Sequence, residues 1–436
     1  MGACPLSGVG EHESPSGREA GVVIFRAKWV YPVEGSAIEN GAVVAEGGKI
    51  VEVGPFAALR GATGEPVDLG DVVLLPGFVN AHTHLDLSDL HGQVPPQGLF
   101  IPWLSALMQK RSAATPDETS TAEAVRRGIE ESLACGVTAI GDVTTTPDWT
   151  RPMLARSHLR SVSFGEVIAI GQRRSMLERR LAAALAAEWA APRLRVGVSP
   201  HAPYTIEPAA LRRCAEAARE IGAPVCMHLL ETAQEERFAV AGDGDFREFL
   251  MRMKVWDDRV DTPGVDPVTW LEREGLLSSK TLLAHVNYVT DAQLAVLAER
   301  GPSVAYCPRT HAAFGHPPHR FREMLARGIN VCIGTDSLAS NPSLSVLEEL
   351  RHVRRACPDI SAETLVRLGT LAGAKALGLD DQIGALMPRR WADLVAVPAP
   401  SGKKLLLDRV LDGTSVPTAA YIAGKRVYPS EPVVAG

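Results

Sequence analysis

The chain lacks a Cys-x-x-Cys pair, an apolar run long enough to cross a bilayer and any long block of one charge sign, and each absence removes a class of function. Its seven cysteines, Cys4, Cys135, Cys214, Cys226, Cys307, Cys332 and Cys357, are odd in number and scattered. That pattern argues against a disulfide framework and fits a reduced, cytoplasmic setting. A formal charge of −6 offers no basic field to a polyphosphate, so neither nucleic acid nor an anionic membrane is expected as a partner. Residues 1–20 lack the basic start and apolar centre of a secretory signal and read as a flexible tail.

What is present suffices for a large core: 436 residues, 46% of them hydrophobic, a size that suits one large domain and a smaller one. From Val22 to about Val73, short β-branched runs at 22–25, 42–45 and 49–53 alternate with Gly-rich turns, and the same texture returns at 392–397 and 418–424. Residues 21–75 and 388–436 are therefore expected to form one small β-sandwich domain from both ends of the chain. Over 76–387 strands alternate with helices, the helices including Pro208–Ile221, with its Leu211, Cys214, Ala215 and Ala218 stripe, and Asp291–Arg300. Eight such strands predict an α/β fold, a (β/α)8 TIM barrel with its site at the strand C-terminal ends.

The polar residues at those ends carry the chemistry. His82 and His84 close the run 75–84, and alternate residues of a strand share a face, so both imidazoles can grip one ion. Alone, such a pair is as well explained by a solvated strand end. His228, His285 and Asp336 each follow a further apolar run, however, and six strand-end groups including His201 would converge on one mouth. A buried histidine bonded to a carbonyl, or an aspartate capping the next helix, explains any one of them but not the set.

Three imidazoles and a carboxylate, His82, His84, His228 and Asp336, suit one divalent metal ion, zinc first and ferrous iron second. A metal lowers the pKa of its water from about 15.7 towards 7, which makes hydroxide available at neutral pH. Glu231, three residues beyond His228, is the expected proton shuttle, the alternative being an acid that favours a helix start. His285 is either a further ligand or, the favoured role, a group that holds the attacking water. Asp336 is expected to act catalytically as well, with one oxygen on the metal and the other on the water proton. The fourth strand ends Val198-Ser199-Pro200-His201 without the lysine that a bridged two-metal site needs, so one metal is expected and His201 is left to contact substrate.

The motifs Pro76-Gly77-Phe78-Val79-Asn80-Ala81-His82-Thr83-His84, His201-Ala202-Pro203-Tyr204-Thr205, His228-Leu229-Leu230-Glu231-Thr232, Ala284-His285 and Gly334-Thr335-Asp336-Ser337 resemble, in this order, the mononuclear deaminase and chlorohydrolase branch of the amidohydrolase superfamily. The resemblance spans about Val22 to Val427 and implies a barrel with a composite β-sandwich, the same four metal ligands, and Glu231 and His285 as catalytic groups. It also implies loss of ammonia from an amidine-like carbon of a heterocyclic small molecule.

The stretches 306–311, 315–318 and 335–341 are similar to aminodeoxyfutalosine and 5′-substituted adenosine deaminases, and a homodimer is common in such barrels. One departure is Pro102 in Ile101-Pro102-Trp103-Leu104, where adenosylhomocysteine deaminases carry an acid, so their ribose contact is not expected to carry over. Arg309 and His311 either bind the far end of the substrate or serve the loop itself, and Trp103 either stacks on a ring or plugs the core. The alternatives to deamination are hydrolytic dechlorination on the same site, which makes less use of Glu231, and a barrel that binds without catalysis.

Overall fold

Two sheets organise the chain in a computed structural model that describes residues 21–59, 64, 66–96, 98–400 and 405–429. The tail expected over 1–20, with Cys4, lies outside the described residues. The N-terminal strands are β1 (Val23–Val30), β2 (Ile38–Glu46), β3 (Lys49–Pro55), β4 (Pro66–Asp68) and β5 (Val72–Pro76). Eight parallel strands follow: β6 (Phe78–Thr83), β7 (Val137–Thr144), β8 (Arg160–Glu166), β9 (Leu194–Ser199), β10 (Val225–Leu229), β11 (Thr281–His285), β12 (Ser303–Tyr306) and β13 (Asn330–Ile333). The chain ends on β14 (Leu394–Pro398), β15 (Ala419–Ile422) and β16 (Lys425–Tyr428).

The terminal strands pair in the order β16-β15-β14-β5-β1-β2-β3, with β4 beside β1, so the expected sandwich rests on one continuous hydrogen-bonded path. Alternation of side chains explains how both faces are used. Val73, Leu75, Val395 and Val397 join the large core shared with the barrel helices, while Phe25, Val43, Leu74, Leu394 and Tyr421 form a separate core.

The barrel strands pair in sequence order from β6 to β13. The ring closes at its mouth, where Thr83 bridges Asp336 and the amides of Thr335 and Asp336 both donate to the His82 carbonyl at 3.1 Å. Below this seam Asn80 replaces ladder bonds with its side chain: Nδ2 donates to Thr335 Oγ1 at 2.7 Å and Oδ1 accepts the Thr335 amide at 3.0 Å. Small residues, Ala81, Ala139, Cys226, Ala305 and Cys332, are fully buried in the cluster that fills the interior. All six described cysteines are free thiols, and no helix is long and apolar enough to cross a membrane among the described residues.

The helices expected at 208–221 and 291–300 occupy those bounds. The second starts on a reciprocal Thr290–Gln293 capping box and stops at Gly301, whose φ of +76° favours a residue without a Cβ. The run 75–84 divides between two strands in two sheets. The break falls at Gly77, where a Cβ would lie 2.2 Å from Thr138 Oγ1.

The barrel and the terminal sheet are tied by a buried ion pair. Arg160 Nε donates to Asp393 Oδ2 at 2.6 Å and its Nη2 to Oδ1 at 3.2 Å, the guanidinium lies 4.7 Å over the Trp391 ring, and the Ala423 amide also donates to Asp393. Asp393→Ala leaves the arginine buried without its counter-charge, so urea unfolding should show a loss of about 3–5 kcal/mol. An unchanged midpoint would mean that the two sheets are held by their apolar cores alone.

Candidate metal centre

His82 lies near the end of β6, and His84 one residue past it, still extended at φ −129° and ψ 92°. Both rings therefore project to one side, with centroids 5.0 Å apart. His228 on β10 and Asp336 just beyond β13 meet them there. His84 Nε2 is 3.2 Å from His228 Nε2, and Asp336 Oδ1 lies 3.6 Å from His84 Nε2 and 3.9 Å from His82 Nε2. Ligand atoms of His82, His84 and Asp336 all fall within 4.8 Å of one another, as do those of His82, His228 and His285.

These groups fit a divalent cation. His228 Nδ1 faces the His201 carbonyl at 3.0 Å and must carry the proton it donates, which leaves a bare lone pair on Nε2. His82 Nε2 is buried with no hydrogen-bond partner among the described residues, a state that a buried ring nitrogen seldom tolerates without an ion. Burial drives His82, His228 and His285 well below the usual histidine range, and neighbouring histidines add to the effect. His84 is lowered to about 3, first by burial and then by His201 and Arg111. Neutral imidazoles are the form that binds metal.

Four residues around the centre hold φ values that L-residues rarely adopt: Leu230 at +50°, His285 at +72°, Val286 at +54° and Asp336 at +58°. Each is held by a specific bond. The His285 carbonyl accepts His319 Nε2 at 2.8 Å, and the Val286 amide donates to the Leu229 carbonyl at 2.9 Å. Asp336 Oδ2, expected to handle the water proton, instead accepts Ser340 Oγ at 2.6 Å, which leaves Oδ1 as the oxygen facing the histidines. Burial raises the Asp336 carboxyl to about 6, against the pull of Ser340.

Glu231 follows β10, is 4% exposed, and places Oε1 3.6 Å from His285 Nε2. Burial, then Asp336 and Glu235, push its carboxyl well above the usual range, the direction that favours the protonated acid. Its backbone is gripped by Glu235, fully buried, whose carboxylate accepts the amides of Leu230 and Glu231 at 2.7 Å and of Thr232 at 3.1 Å. Glu235→Ala should strand these donors and let Glu231 drift. Turnover is expected to fall about 10- to 100-fold with metal content retained, and Glu235→Gln, which keeps one oxygen, should recover part of it. Equal turnover in the alanine variant would show that β10 alone positions Glu231.

A cavity of about 270 Å³ opens from this centre. His201 lines it, with Nδ1 2.7 Å from Thr205 Oγ1. Trp103 lines it too, its Nε1 donating to the Val94 carbonyl at 2.7 Å while its ring packs on Phe100 and Phe314. Arg309 and His311 correct the expectation of a substrate contact, because neither reaches the cavity. Arg309 Nε donates to the fully buried Glu349 at 2.6 Å and its Nη2 to the Ser343 carbonyl at 2.8 Å, since a buried carboxylate requires its counter-charge. His311 Nδ1 is 3.0 Å from Asn287 Oδ1, and its ring packs on Tyr306.

Four lining or supporting groups escaped the sequence reading: Glu166, Arg180, Ser340 and Glu235. Glu166 had a signal, as the last residue of a barrel strand. Ser340 and Glu235 had only their spacing, four residues after Asp336 and Glu231.

Comparison with known proteins agrees with this geometry. A 5-methylthioadenosine/S-adenosylhomocysteine deaminase of Nitratidesulfovibrio vulgaris is 30% identical over 380 residues, covering 83% of this chain and 80% of its own. A 5′-deoxyadenosine deaminase of Methanoregula boonei is 31% identical over 351 residues, covering 78% and 74%. The crystal structure of a Xanthomonas campestris adenosine deaminase with bound zinc superposes with a TM-score of 0.81 at 27% identity, over 93% of this chain and 92% of that one. The amidohydrolase family profile matches residues 73–427, from β5 through the whole barrel to β16. With that match spanning the whole barrel and the histidines and aspartate gathered at its mouth, the chain belongs to the amidohydrolase family.

Proposed function

We propose that this protein is a metal-dependent hydrolytic deaminase that releases ammonia from a purine-like or 5′-substituted adenosine substrate, aminodeoxyfutalosine being one candidate. The observation that carries the reading is Glu231: a buried carboxyl 3.6 Å from His285 Nε2 and next to the histidine cluster. Dechlorination has little need of such an acid, whereas an amine leaves poorly unless it is protonated.

His82, His84, His228 and Asp336 would hold the ion, zinc in preference to ferrous iron for a site of three imidazoles and one carboxylate. When bound, the ion makes water nucleophilic at neutral pH. The residues of the chain supply the rest. His285, anchored through its carbonyl to His319, orients the water against the ring carbon that bears the amine. Glu231 gives its proton to the ring nitrogen, takes in exchange the proton that the adding water gives up, and hands that one to the departing amine while the adduct's hydroxyl proton returns to it. The C–N bond breaks, ammonia leaves, and a ring carbonyl remains. His201 lies at the inner wall, where it meets the heterocycle, and the Trp103, Leu107 and Met253 side chains form an apolar lining for the ring's substituent. Excluding water there strengthens every charge interaction within.

The test is an ammonia-release screen of the metal-loaded protein across adenine, guanine, adenosine, 5′-deoxyadenosine derivatives, aminodeoxyfutalosine and chlorinated or aminated triazines, with metal analysis of the same preparation. Release from a purine nucleoside is expected. Chloride release from a triazine with none of ammonia from any purine would replace deamination by dechlorination.

A further inference from the structure

Glu166 ends β8 with its side chain in the cavity wall, 5% exposed. Its carboxylate accepts no hydrogen bond from any described residue, and the nearest ionisable atom, His201 Nε2, stands off at 3.7 Å. Arg180 lines the same wall with its Nε buried and without a hydrogen-bond partner. The two charges are close enough to influence each other, yet they form no ion pair. A buried carboxylate, and a half-buried guanidinium whose Nε is shut off from water, are costly to leave unpaired unless a third group satisfies both.

We infer that Glu166, with Arg180 beside it, is the specificity-determining contact for the hydroxyl groups of a substrate's ribose. This rests on the deaminase reading of the centre. A hydroxyl both donates and accepts, so it can bridge an acceptor and a donor that do not touch. Position selects the sugar over the ring. The His201 ring is 5.0 Å from that of His228 on β10, and Glu166, 3.7 Å from His201 Nε2, ends β8, one strand further round the barrel. A heterocycle reacting over the histidine cluster fills the layer at His201, and what reaches Glu166 is the group attached to it. The chain has Pro102 rather than an acid before Trp103, so this carboxylate comes from a barrel strand instead.

The experiment compares kcat/KM for 5′-deoxyadenosine and its 2′,3′-dideoxy counterpart in wild type, Glu166→Gln and Glu166→Ala. Calorimetric binding of the same pair to each protein reads the selectivity without turnover. The ratio within one protein is insensitive to partial misfolding. Wild type is expected to prefer the hydroxylated compound, and the preference should shrink about 10- to 100-fold in the alanine variant, the value of a hydrogen bond to a buried charge. A ratio equal in all three proteins, or no difference in binding by wild type, overturns the assignment. So does a variant whose altered selectivity follows a 2-amino group on the purine rather than the hydroxyls. Wild type that binds the pair selectively but releases no ammonia would retire the deaminase reading and leave the Glu166 contact standing.

Discussion

Glu231→Gln should reduce turnover by about 10²- to 10⁴-fold, the usual share of a positioned acid–base group, while the protein takes up its full complement of metal. The amide is nearly isosteric, and the Glu235 bonds run to the backbone at 230–232, so the loop keeps its shape. What is lost is a carboxyl able to exchange protons, its Oε1 3.6 Å from His285 Nε2. The variant should also unfold at an equal or higher temperature, because it removes an ionisable group from a dry site. Ammonia release, metal analysis and thermal unfolding of one preparation decide the matter. Undiminished turnover would take Glu231 out of the mechanism.

His84→Ala should act on the ion instead. It deletes one of the groups whose ligand atoms lie within 4.8 Å of each other. Since removing even a residue that supports a ligand weakens metal binding about 10- to 100-fold, removing the ligand itself should exceed that range. Dialysed variant is expected to retain almost no zinc and almost no activity. Wild type stripped with a chelator should regain activity on adding zinc and gain thermal stability with it, whereas the variant should do neither at the same concentration. A variant that binds zinc as wild type does would move the centre to the other group, His82, His228 and His285.

The contrast between residues that the barrel brings together and residues that it leaves outside the cavity has a physical basis. His82, His228, His285 and Asp336 each end a short apolar run, and a parallel barrel carries every such end to the same mouth, so local sequence sufficed to bring them together. Helix 208–221 was visible because its apolar stripe repeats with the helical period and Gly222 stops it at φ +66°. Arg309 and His311 looked equally poised, but their direction depends on Glu349 and Asn287, partners 40 and 24 residues away that no local pattern reveals. Glu166 and Glu235 went unnoticed for a related reason. An acid at a strand end or a helix start is ordinary, and only burial distinguishes one that faces a cavity or clasps three amides.

Gly77 joins two roles that are usually kept apart. Through it, the strand paired to β14 continues directly into the strand that bears His82, and its amide donates to the carbonyl of Asp393 at 2.9 Å. The base of the first histidine-bearing segment is thus moored to a stretch of chain made long after it. Loss of β14 would spare every wall of the cavity and still slacken its floor, so a nascent chain should remain inert until that strand has emerged and locked into place.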